Sequence, residues 1–410
     1  MSVSSIVRPA ALILGAGQLA QMLVEAASGL GVDVTVWASG YDEPASRIAA
    51  NVLRGDPNDE KLAREALSRH ALLLFESEFF PTETLERLAP EYPECRWVPH
   101  RDALRVLRDK AEQKRLADRL KIPTARWIER GAEEADAFVA RCEREFPEGY
   151  VLKAARGGYD GRGLCFSGTA PTRQREFVAQ VGEVYAEAKV SFSREAALVA
   201  TRGEDGTFVA YPLFGIDNTG GICRWVLGPT EAAGLGAEQH RAAELSLKWL
   251  AETVQYVGTL AAEFFVTDSG ALLLNEIAPR VHNSGHVTRS AAMVSQFENH
   301  WRAALRRPLG ATAMAPAFVM RNLIGPENVE LPAARCPSPD PDRGSTAFWY
   351  GKGTRPGRKL GHLDAVAFEP TPLSELVHRL EAVENAWLEV LGAEGRRAAS
   401  ETHAGKKEKR

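Results

Sequence analysis

Apolar and polar positions alternate along the first hundred residues in a way that predicts strands followed by helices. Residues 11–14 form a short apolar run that ends at a glycine turn, and residues 18–29 repeat apolar side chains at helical spacing. Residues 32–37 have the alternation of a half-buried strand, and residues 71–75 form a further apolar run. Because strands alternate with helices here, we predict a parallel, doubly wound α/β sheet up to about residue 100.

The middle of the chain has a different pattern, in which strands follow one another. A charged amphipathic helix is predicted over residues 102–120, before the chain reaches Ile122 and Pro123. Strands are then predicted at residues 150–154, 197–200, 208–213, 261–266 and 271–277, and turns that contain Gly and Asp separate several of them. This succession favours an antiparallel α+β unit. A strand at 346–350 and a helix at 373–391 complete the prediction.

The composition is that of a soluble globular protein with more than one core. The 410 residues exceed one ordinary core, and 45% are hydrophobic against 25% charged. Since 50 Lys and Arg nearly balance 54 Asp and Glu, the charge indicates neither a nucleic-acid partner nor an anionic membrane. No segment approaches the roughly 18–20 apolar residues that span a bilayer. The five cysteines are scattered and form no C-x-x-C pair, so we expect reduced thiols in a cytoplasmic protein.

The turn at Gly15 and Gly17 lies between a predicted strand and a predicted helix, which is the context of a dinucleotide-binding fingerprint. Glycine lets the backbone approach an anion, and the helix N-terminus adds partial positive charge. A nicotinamide cofactor needs an acid at the end of the next strand, but Trp37, Ala38 and Ser39 stand there. NAD is therefore disfavoured. A tight packing turn and a site for another phosphate or substrate edge both stay open.

A second glycine-rich segment, residues 157–163, comes shortly after Lys153, which lies on a predicted strand. Its four glycines allow a loop whose backbone N–H groups cover phosphates, and Lys153 could meet a phosphate from the strand. No G-K-[ST] follows, so the segment is not a Walker sequence. A flexible surface hairpin is the alternative.

Two acids lie in the hairpin predicted for the middle region. We expect Val266 to pair with Ala271 across the turn, and this register makes Glu263 and Glu276 diagonal neighbours on one face. Two carboxylates in an apolar hairpin repel each other unless a cation separates them, and Mg²⁺ beside phosphates suits oxygen ligands. Two acids on a solvated face are the alternative, and a register slip of one residue would separate the pair.

Two polar segments further along the chain are candidates for substrate recognition. Arg280, His282, Asn283 and His286 follow the second hairpin strand, and no helical H-E-x-x-H surrounds the two histidines. An inert polar loop is the alternative. Residues 352–359 contain four cations, and the interleaved Gly and Pro fix a turn that can aim them at one anion instead of solvent.

Together these segments resemble the N5-carboxyaminoimidazole ribonucleotide synthetase family of ATP-grasp enzymes. The resemblance runs from Ile13 to about Ala365 in the family's order. It rests on GAGQLA at residues 15–20, RGGYDGRG at 156–163, EFFV at 263–266, NEIAPRVHNSGH at 275–286, MRNLIG at 320–325 and WYGKGTRPGRKLGH at 349–362. The NSGH loop combined with the RPGRK turn is highly specific among ATP-grasp enzymes.

The resemblance implies an ATP-grasp fold of mixed α/β and α+β class. We expect an N-terminal Rossmann-like domain over residues 1–104, a small lid domain over 105–190 and a C-terminal domain over 191–393. Residues 394–410 are expected to be a disordered, charged tail.

The resemblance also implies the residues of the site. ATP would meet Lys110, Lys153, Glu187, Glu195 and Asn275, and Mg²⁺ would be held by Glu263 and Glu276. The ribonucleotide would meet Gln18, Glu76, Tyr159, Asp160, Arg280, His282, Asn283, Lys352 and Arg358, the last two at its phosphate. Asp160, Arg280 and Lys153 would act in catalysis.

The implied reaction belongs to purine synthesis. ATP would phosphorylate bicarbonate to carboxyphosphate, and 5-aminoimidazole ribonucleotide would be carboxylated on its amine in a homodimeric enzyme. The alternatives are a diverged paralogue, a binding protein without turnover, or another ATP-grasp ligase such as the formate-dependent glycinamide ribonucleotide transformylase. The last carries Asp where this chain has Asn283. Phe79 and Ala20 also depart from the residues that are common in the family, Asn and Gly.

Overall fold

The computed structural model describes residues 9–158, 163–329, 331, 334–339 and 344–407, with side chains described as far as residue 395. The strands gather into three sheets, and each sheet is formed by a different part of the chain. One sheet is parallel and two are antiparallel, so the predicted mixture of α/β and α+β architecture is confirmed.

The N-terminal sheet is parallel and has the strand order β3-β2-β1-β4-β5. Its strands are β1 (Ala10–Leu14), β2 (Asp33–Ala38), β3 (Asn51–Arg54), β4 (Leu72–Phe75) and β5 (Arg96–Val98). The helices are α1 (Gln18–Ser28), α2 (Glu60–Arg69) and α3 (Glu83–Leu88), with 3₁₀ turns at Pro44–Arg47 and Ala89–Glu91. Alternate residues of β1 belong to two different core clusters, with Ile13 on one face and Leu12 on the other. The predicted doubly wound sheet is confirmed.

The segment after the first sheet is two helices, where we predicted one helix over residues 102–120. The helices are α4 (Arg101–Leu107) and α5 (Lys110–Arg119). Asp109 separates them, because its backbone is extended and its carboxylate accepts hydrogen bonds from the N–H groups of Ala111 and Glu112. An acid that caps a new helix in this way ends the preceding one.

The second sheet is antiparallel, with the order β6-β9-β7-β8. It contains β6 (Trp127–Glu129), β7 (Tyr150–Ala154), β8 (Leu164–Phe166) and β9 (Val184–Ala188), and it is covered by α6 (Ala135–Glu145) and α7 (Pro171–Val181). Phe138 and Leu152 are fully buried between the helices and the sheet. This small unit has its own hydrophobic core, as a separate lid requires.

The third sheet is the largest, with the order β15-β14-β10-β12-β13-β16-β18-β17 and with β11 paired to β10. Its strands are β10 (Arg194–Arg202), β11 (Phe208–Ala210), β12 (Phe214–Thr219), β13 (Ile222–Gly228), β14 (Gly258–Val266), β15 (Leu272–Ala278), β16 (Ala317–Ile324), β17 (Ser345–Trp349) and β18 (Lys359–Ala367). Its helices are α8 (Ala237–Thr253), α9 (Thr288–Ala291), α10 (Gln296–Ala304) and α11 (Leu373–Lys407).

The first and third sheets are joined through α1 and α10. The fully buried Trp301 of α10 donates its indole N–H to the carbonyl oxygen of Leu23 in α1 at 2.8 Å. On the other side, α5 is tied to β15, because the Gln113 side chain exchanges two hydrogen bonds with the backbone of Ile277, both at 2.8 Å. These contacts fix the N-terminal turn and α5 against the edge of the large sheet.

The final helix extends through Lys407, whereas the sequence led us to expect a disordered tail from residue 394. Ala, Glu, Arg and Lys dominate this stretch and all favour helix, so the helix continues once α11 is anchored on the third sheet by Leu376 and Leu380. In the described part of the chain, no helix combines the length and the apolarity needed to cross a bilayer.

Candidate functional site

The two predicted metal ligands face each other at the edge of the third sheet. Glu263 of β14 and Glu276 of β15 are direct partners in the ladder. The predicted register was wrong, because Val266 pairs with Leu272 and not with Ala271. The strands also shift by one residue between Glu263 and Phe264, which turns the expected diagonal relationship into a direct one.

The acid pair is electrostatically asymmetric, because a lysine approaches only one of its members. Lys110 Nζ lies 2.6 Å from Glu276 Oε2. Burial raises the pKa of Glu276, but Lys110 outweighs it and the net pKa is lowered. Burial and then the charge of Glu276 raise the pKa of Glu263 to about 8. At neutral pH the pair therefore carries about one negative charge and has room for a cation.

The acid pair fits a divalent cation only in part. Two opposed carboxylates are hard oxygen ligands, and burial together with the charge of Glu276 raises the pKa of Glu263, so a cation beside the pair would be favoured. His282 Nε2 is 3.6 Å from Glu263 Oε1, which is an ion-pair distance rather than a ligand set. Among the described residues, no group of three or more His, Cys, Asp or Glu could hold a metal ion. Further oxygens, such as phosphate oxygens, would have to complete a shell.

Two further lysines lie beside the acid pair and share a single carboxylate. Lys153 of β7 and Lys114 of α5 lie 2.9 and 2.8 Å from the two carboxylate oxygens of Glu187. All three side chains are at most 10% exposed. Burial opposes the charge of Glu187, but the two ammonium groups lower its pKa below the ordinary value. Lys153 also donates to Asn275 Oδ1 at 3.0 Å. The carboxylate of Glu187 is thus already engaged, which leaves its backbone for any contact with a base.

Glu195, one of the predicted ATP contacts, lies on β10 of the same sheet, two strands from Glu276. Asn218 Nδ2 donates to Glu195 Oε2 at 2.7 Å, and burial raises the pKa of Glu195. The charge of Glu195 also contributes to the raised pKa of Glu263, so the structure brings these two acids together.

The turn after β1 is built around Glu76 at the end of β4. The backbone N–H of Gly17 donates to Glu76 Oε2 at 2.6 Å, and that of Leu19 donates to Oε1 at 3.3 Å. A Cβ atom on Gly17 would lie 2.1 Å from Glu76 Oε1, so this glycine is required by the acid that packs on it. Of the alternatives left open for this turn, this geometry accounts for a tight packing turn, because the N–H groups at the start of α1 already hold the Glu76 carboxylate.

Gln18 connects this turn to the cationic turn 352–359. Lys352 Nζ donates to Gln18 Oε1 and lies 5.5 Å from the centre of the Tyr350 ring. Burial lowers the pKa of Lys352 to about 8; the charge of Arg358 also lowers it, whereas Glu76 raises it. Arg358 donates from Nη1 to the Gly353 carbonyl oxygen at 3.1 Å. The two predicted phosphate contacts therefore lie in one turn within electrostatic reach of each other, and Lys352 contacts the N-terminal turn.

Arg280 lies between the acid pair and the N-terminal turn. It pairs with Glu78, with Nε 2.5 Å from Oε2 and Nη2 3.3 Å from Oε1. Burial works against its charge, but Glu78, Glu276 and Glu76 together raise its pKa. Arg280 is therefore within electrostatic reach of both parts of the candidate site, the acid pair at Glu276 and the N-terminal turn at Glu76.

The loop after Arg280 contains polar groups that lack protein partners. The amide nitrogen and oxygen of Asn283 are buried, and neither has a hydrogen-bond partner in the part of the chain that the structure describes. His282 donates or accepts at Nδ1 with Ser284 Oγ at 2.9 Å, and burial followed by the charge of Arg280 lowers its pKa to about 3. His282 is thus neutral, and the unpaired amide of Asn283 is available to a ligand.

Some site residues were missed or cannot be placed. Tyr159 and Asp160, predicted for substrate binding, lie outside the described residues. Glu78 and Lys114 were not predicted as site residues. Lys114 had a usable signal, because it follows Lys110 by four residues on one helix and so faces the same way. Glu78 had a weaker signal, because it follows Glu76 by two residues just after the apolar run that predicts β4, and its side chain is only 9% exposed beside Arg280.

Three family models match successive parts of the chain. The ribonucleotide synthetase preATP-grasp domain matches residues 11–108, and the ATP-grasp domain matches residues 115–297. The phosphoribosylaminoimidazole carboxylase C-terminal domain matches residues 318–374. The first match covers the N-terminal sheet, the second covers the second sheet together with β10 to β15 of the third, and the last covers most of β16 to β18 of the third.

Individual proteins are similar over nearly the whole chain. N5-carboxyaminoimidazole ribonucleotide synthase of Mycobacterium bovis is 34% identical over 389 residues, which cover 91% of this chain and 87% of that protein. The solved N5-carboxyaminoimidazole ribonucleotide synthetase of Thermus thermophilus has a TM-score of 0.78 and 32% identity, and covers 91% of this chain and 98% of its own. The carboxyaminoimidazole ribonucleotide synthase of Aspergillus clavatus complexed with ATP has a TM-score of 0.78 and 26% identity, over 93% and 99%.

Proposed function

The chain belongs to the N5-carboxyaminoimidazole ribonucleotide synthase family, and from this premise we propose that it carboxylates the amine of 5-aminoimidazole ribonucleotide. It is an ATP-grasp ligase. The product would be N5-carboxyaminoimidazole ribonucleotide, with bicarbonate as the carbon source and with ADP and phosphate released. The reaction would serve purine biosynthesis.

The position of Arg280 is the observation that carries this proposal. Its guanidinium is held by Glu78 and acts on Glu276 in one half of the site and on Glu76 in the other. The first half contains the acid pair with Lys110 and Lys153, which suit a nucleoside triphosphate. The second half contains Lys352 and the N-terminal turn, which suit a ribonucleotide monophosphate. Arg280 thus places a positive charge between the two halves, where the phosphorylated bicarbonate and the ribonucleotide would meet.

The first step would transfer the γ-phosphoryl group of ATP to an oxygen of bicarbonate. The bond from phosphorus to the ADP oxygen breaks and the new phosphorus–oxygen bond gives carboxyphosphate. Lys153 and Lys110 would neutralise phosphate charge from the lid and from α5. Mg²⁺ bound between Glu263 and Glu276 would supply further charge neutralisation at the phosphate oxygens.

The second step would form the carbon–nitrogen bond. The exocyclic amine attacks the carbon of carboxyphosphate, or of carbon dioxide released from it; phosphate leaves and the amine loses a proton. Arg280 would hold bicarbonate and carboxyphosphate at the junction, while Glu76 and Asp160 would orient the aminoimidazole and its ribose. Exclusion of water by the lid would protect carboxyphosphate from hydrolysis.

The remaining contacts are proposed from the same geometry and, for Tyr159, from the resemblance alone. Glu187, Glu195 and Asn275 would meet the nucleotide, with Glu195 accepting from the ribose hydroxyls. Gln18, Tyr159, His282 and Asn283 would meet the ribonucleotide, and Lys352 with Arg358 its phosphate. We further propose that the enzyme is a cytoplasmic homodimer, as the resemblance implies.

Coupled measurement of ADP release tests the proposal. With Mg-ATP, bicarbonate and 5-aminoimidazole ribonucleotide we expect turnover that falls when either co-substrate is omitted. Turnover with formate and glycinamide ribonucleotide, and none with the first pair, would overturn the assignment.

Glu276→Ala is expected to abolish ADP formation while the protein stays folded, and Glu143→Ala, a surface acid of α6, is its control. Full activity of Glu276→Ala would remove the metal role.

A further inference from the structure

A cavity of about 420 Å³ lies between the N-terminal sheet and the third sheet. One wall comes from the residues around β5 and the start of α4, and the other from the end of β10 and the residues that precede β14 and follow α10. Its volume is within the range of sites that bind small molecules, roughly 300–1,000 Å³.

The cavity is separate from the site that contains the acid pair. Val257, which lines it, immediately precedes β14, and Glu263 is six residues further along that strand. At about 3.3 Å per residue the two positions are roughly 20 Å apart. A ligand in the cavity would therefore not compete with ATP for space.

The lining has an excess of positive charge although the chain as a whole is slightly acidic. Four guanidinium groups face one carboxylate, that of Glu204; they belong to Arg96, Arg101, Arg202 and Arg306. Glu204 is already bound by Arg306, with distances of 2.5 and 2.8 Å to the two oxygens. Arg96 is only loosely paired, since its Nη1 is 3.9 Å from Glu204. Arg202 interacts electrostatically with Asp205 but has no ion pair within 4.0 Å among the described residues.

Two of these arginines are held in place by backbone carbonyl groups. Arg202 Nη1 donates to the Tyr256 oxygen at 2.8 Å, and Arg96 Nη2 donates to the Ala304 oxygen at 2.6 Å. Arg202 is 8% exposed, and its Nε–H has no acceptor within the described ranges of the chain. Burial followed by the charge of Arg306 lowers the pKa of Arg96, which is the expected effect of crowded cations. A buried donor without an acceptor is costly, so this N–H is available to an acceptor supplied by a ligand.

Arg101 completes the arrangement from the N-terminal side. Its guanidinium lies over the Trp97 ring, 5.5 Å from the ring centre, and it has no acidic partner among the described residues. Stacking on the indole fixes the plane of the guanidinium and leaves its edge free. Three oriented guanidinium groups around one cavity match the oxygens of a phosphoryl group.

We propose that this cavity is a second ligand site, which binds a small phosphorylated molecule. Its ligand would accept hydrogen bonds from Arg202, Arg96 and Arg101 and would bridge the N-terminal and central units. Bound there, it would stabilise the contact between the sheet that carries the N-terminal turn and the strand that carries Glu263.

Isothermal titration calorimetry in metal-free buffer tests the proposal, with pyrophosphate and AMP as probes. We expect pyrophosphate to bind the wild-type protein, with a component that is weakened at least about tenfold in Arg101→Gln and in Arg202→Met. Glu204→Gln should bind more tightly, because it removes the competing carboxylate. Increased pyrophosphate affinity in Glu204→Gln cannot result from misfolding, so this variant tests the proposal even if Arg202→Met fails to fold.

Two control variants separate this cavity from other cationic surfaces. Arg241→Gln removes one exposed charge from α8 and should leave binding unchanged, and Arg119→Gln, which removes an exposed charge from α5, should do the same. Absence of binding in the wild type overturns the proposal, and so does an equal loss in Arg241→Gln and Arg101→Gln. Tighter binding of AMP than of pyrophosphate would identify the ligand as a nucleotide. Weaker binding of AMP than of pyrophosphate would identify it as a phosphorylated molecule without a base.

Discussion

Glu263 and Glu276 face each other because β15 contains one extra residue, Asn275, beside the pair. Without the bulge, the register of the hairpin end would place Asn275 opposite Glu263 and turn Glu276 to the other face of the sheet. The same bulge leaves Asn275 free to accept a hydrogen bond from Lys153. One inserted residue therefore assembles the acid pair and joins it to the lid.

The raised pKa of Glu263 predicts that metal binding depends on pH. With a pKa of about 8, Glu263 is protonated at neutral pH in the free protein, and a cation must displace the proton. The apparent affinity for Mg²⁺ in the presence of ADP should therefore rise with pH by up to about tenfold per unit below 8 and level off above it. Titration with Mg²⁺ between pH 6 and about 9 measures this. Glu263→Gln should give weak binding at every pH, and a flat wild-type profile would contradict the prediction.

Glu187 is predicted to be a large contributor to the stability of the lid. Glu187→Gln leaves Lys114 and Lys153 as two buried ammonium groups without a carboxylate, which should cost about 3–5 kcal/mol of the free energy of unfolding. Glu129→Gln on the adjacent strand is a matched control, because its ion pair with Arg115 is exposed and should be worth about 1 kcal/mol or less. Equilibrium urea unfolding compares the free energies of unfolding of the two variants. Equal losses in both would show that the buried triad contributes no more than the exposed ion pair.

The strands and helices could be predicted from the sequence where the local hydrophobic pattern agrees with the burial of the segment. The apolar runs that became β1 and β4 are buried on both faces, so composition alone marks them as strands. The single helix expected over residues 102–120 was wrong, because its charge pattern continues across the break. Only the capping bonds of Asp109 to the next turn interrupt it, and this local signal, an acid three residues before Glu112, was outweighed by the continuing helical pattern.

The site was predictable in residue type more than in geometry. The polar loop after β15 and the cationic turn were evident from composition, and the structure brings Lys352 and Gln18 into contact. The bulge at Asn275 could not be predicted, because one inserted residue leaves no periodic signal in a short strand. The ion pair of Glu78 with Arg280 joins residues about 200 positions apart, and only the packing of two sheets creates it.

Gly17 is predicted to control the ribonucleotide half of the site through Glu76. In Gly17→Ala the new Cβ would lie 2.1 Å from Glu76 Oε1 and displace that carboxylate. The backbone angle φ of −76° suits alanine, so the effect would be steric and not conformational. We expect the KM for 5-aminoimidazole ribonucleotide to rise by about tenfold or more while the KM for ATP stays within about twofold. Gly168→Ala, with open space around it, is the control. Parallel increases in both constants would point to general misfolding instead.

Lys352 is predicted to limit ribonucleotide binding at alkaline pH. Burial depresses its pKa to about 8, so the ammonium group is charged below that pH and neutral above it. Since only the charged form attracts a phosphate, kcat/KM for the ribonucleotide at saturating Mg-ATP should fall as pH rises through about 8, opposite in sign to the effect of Glu263 on metal binding. Lys352→Arg should remove this alkaline decline, because a guanidinium stays protonated throughout the range. Arg241→Lys, an exposed exchange of the same cations on α8, should leave the wild-type profile unchanged. An alkaline decline that persists in Lys352→Arg would assign the titration to another group and separate Lys352 from the phosphate.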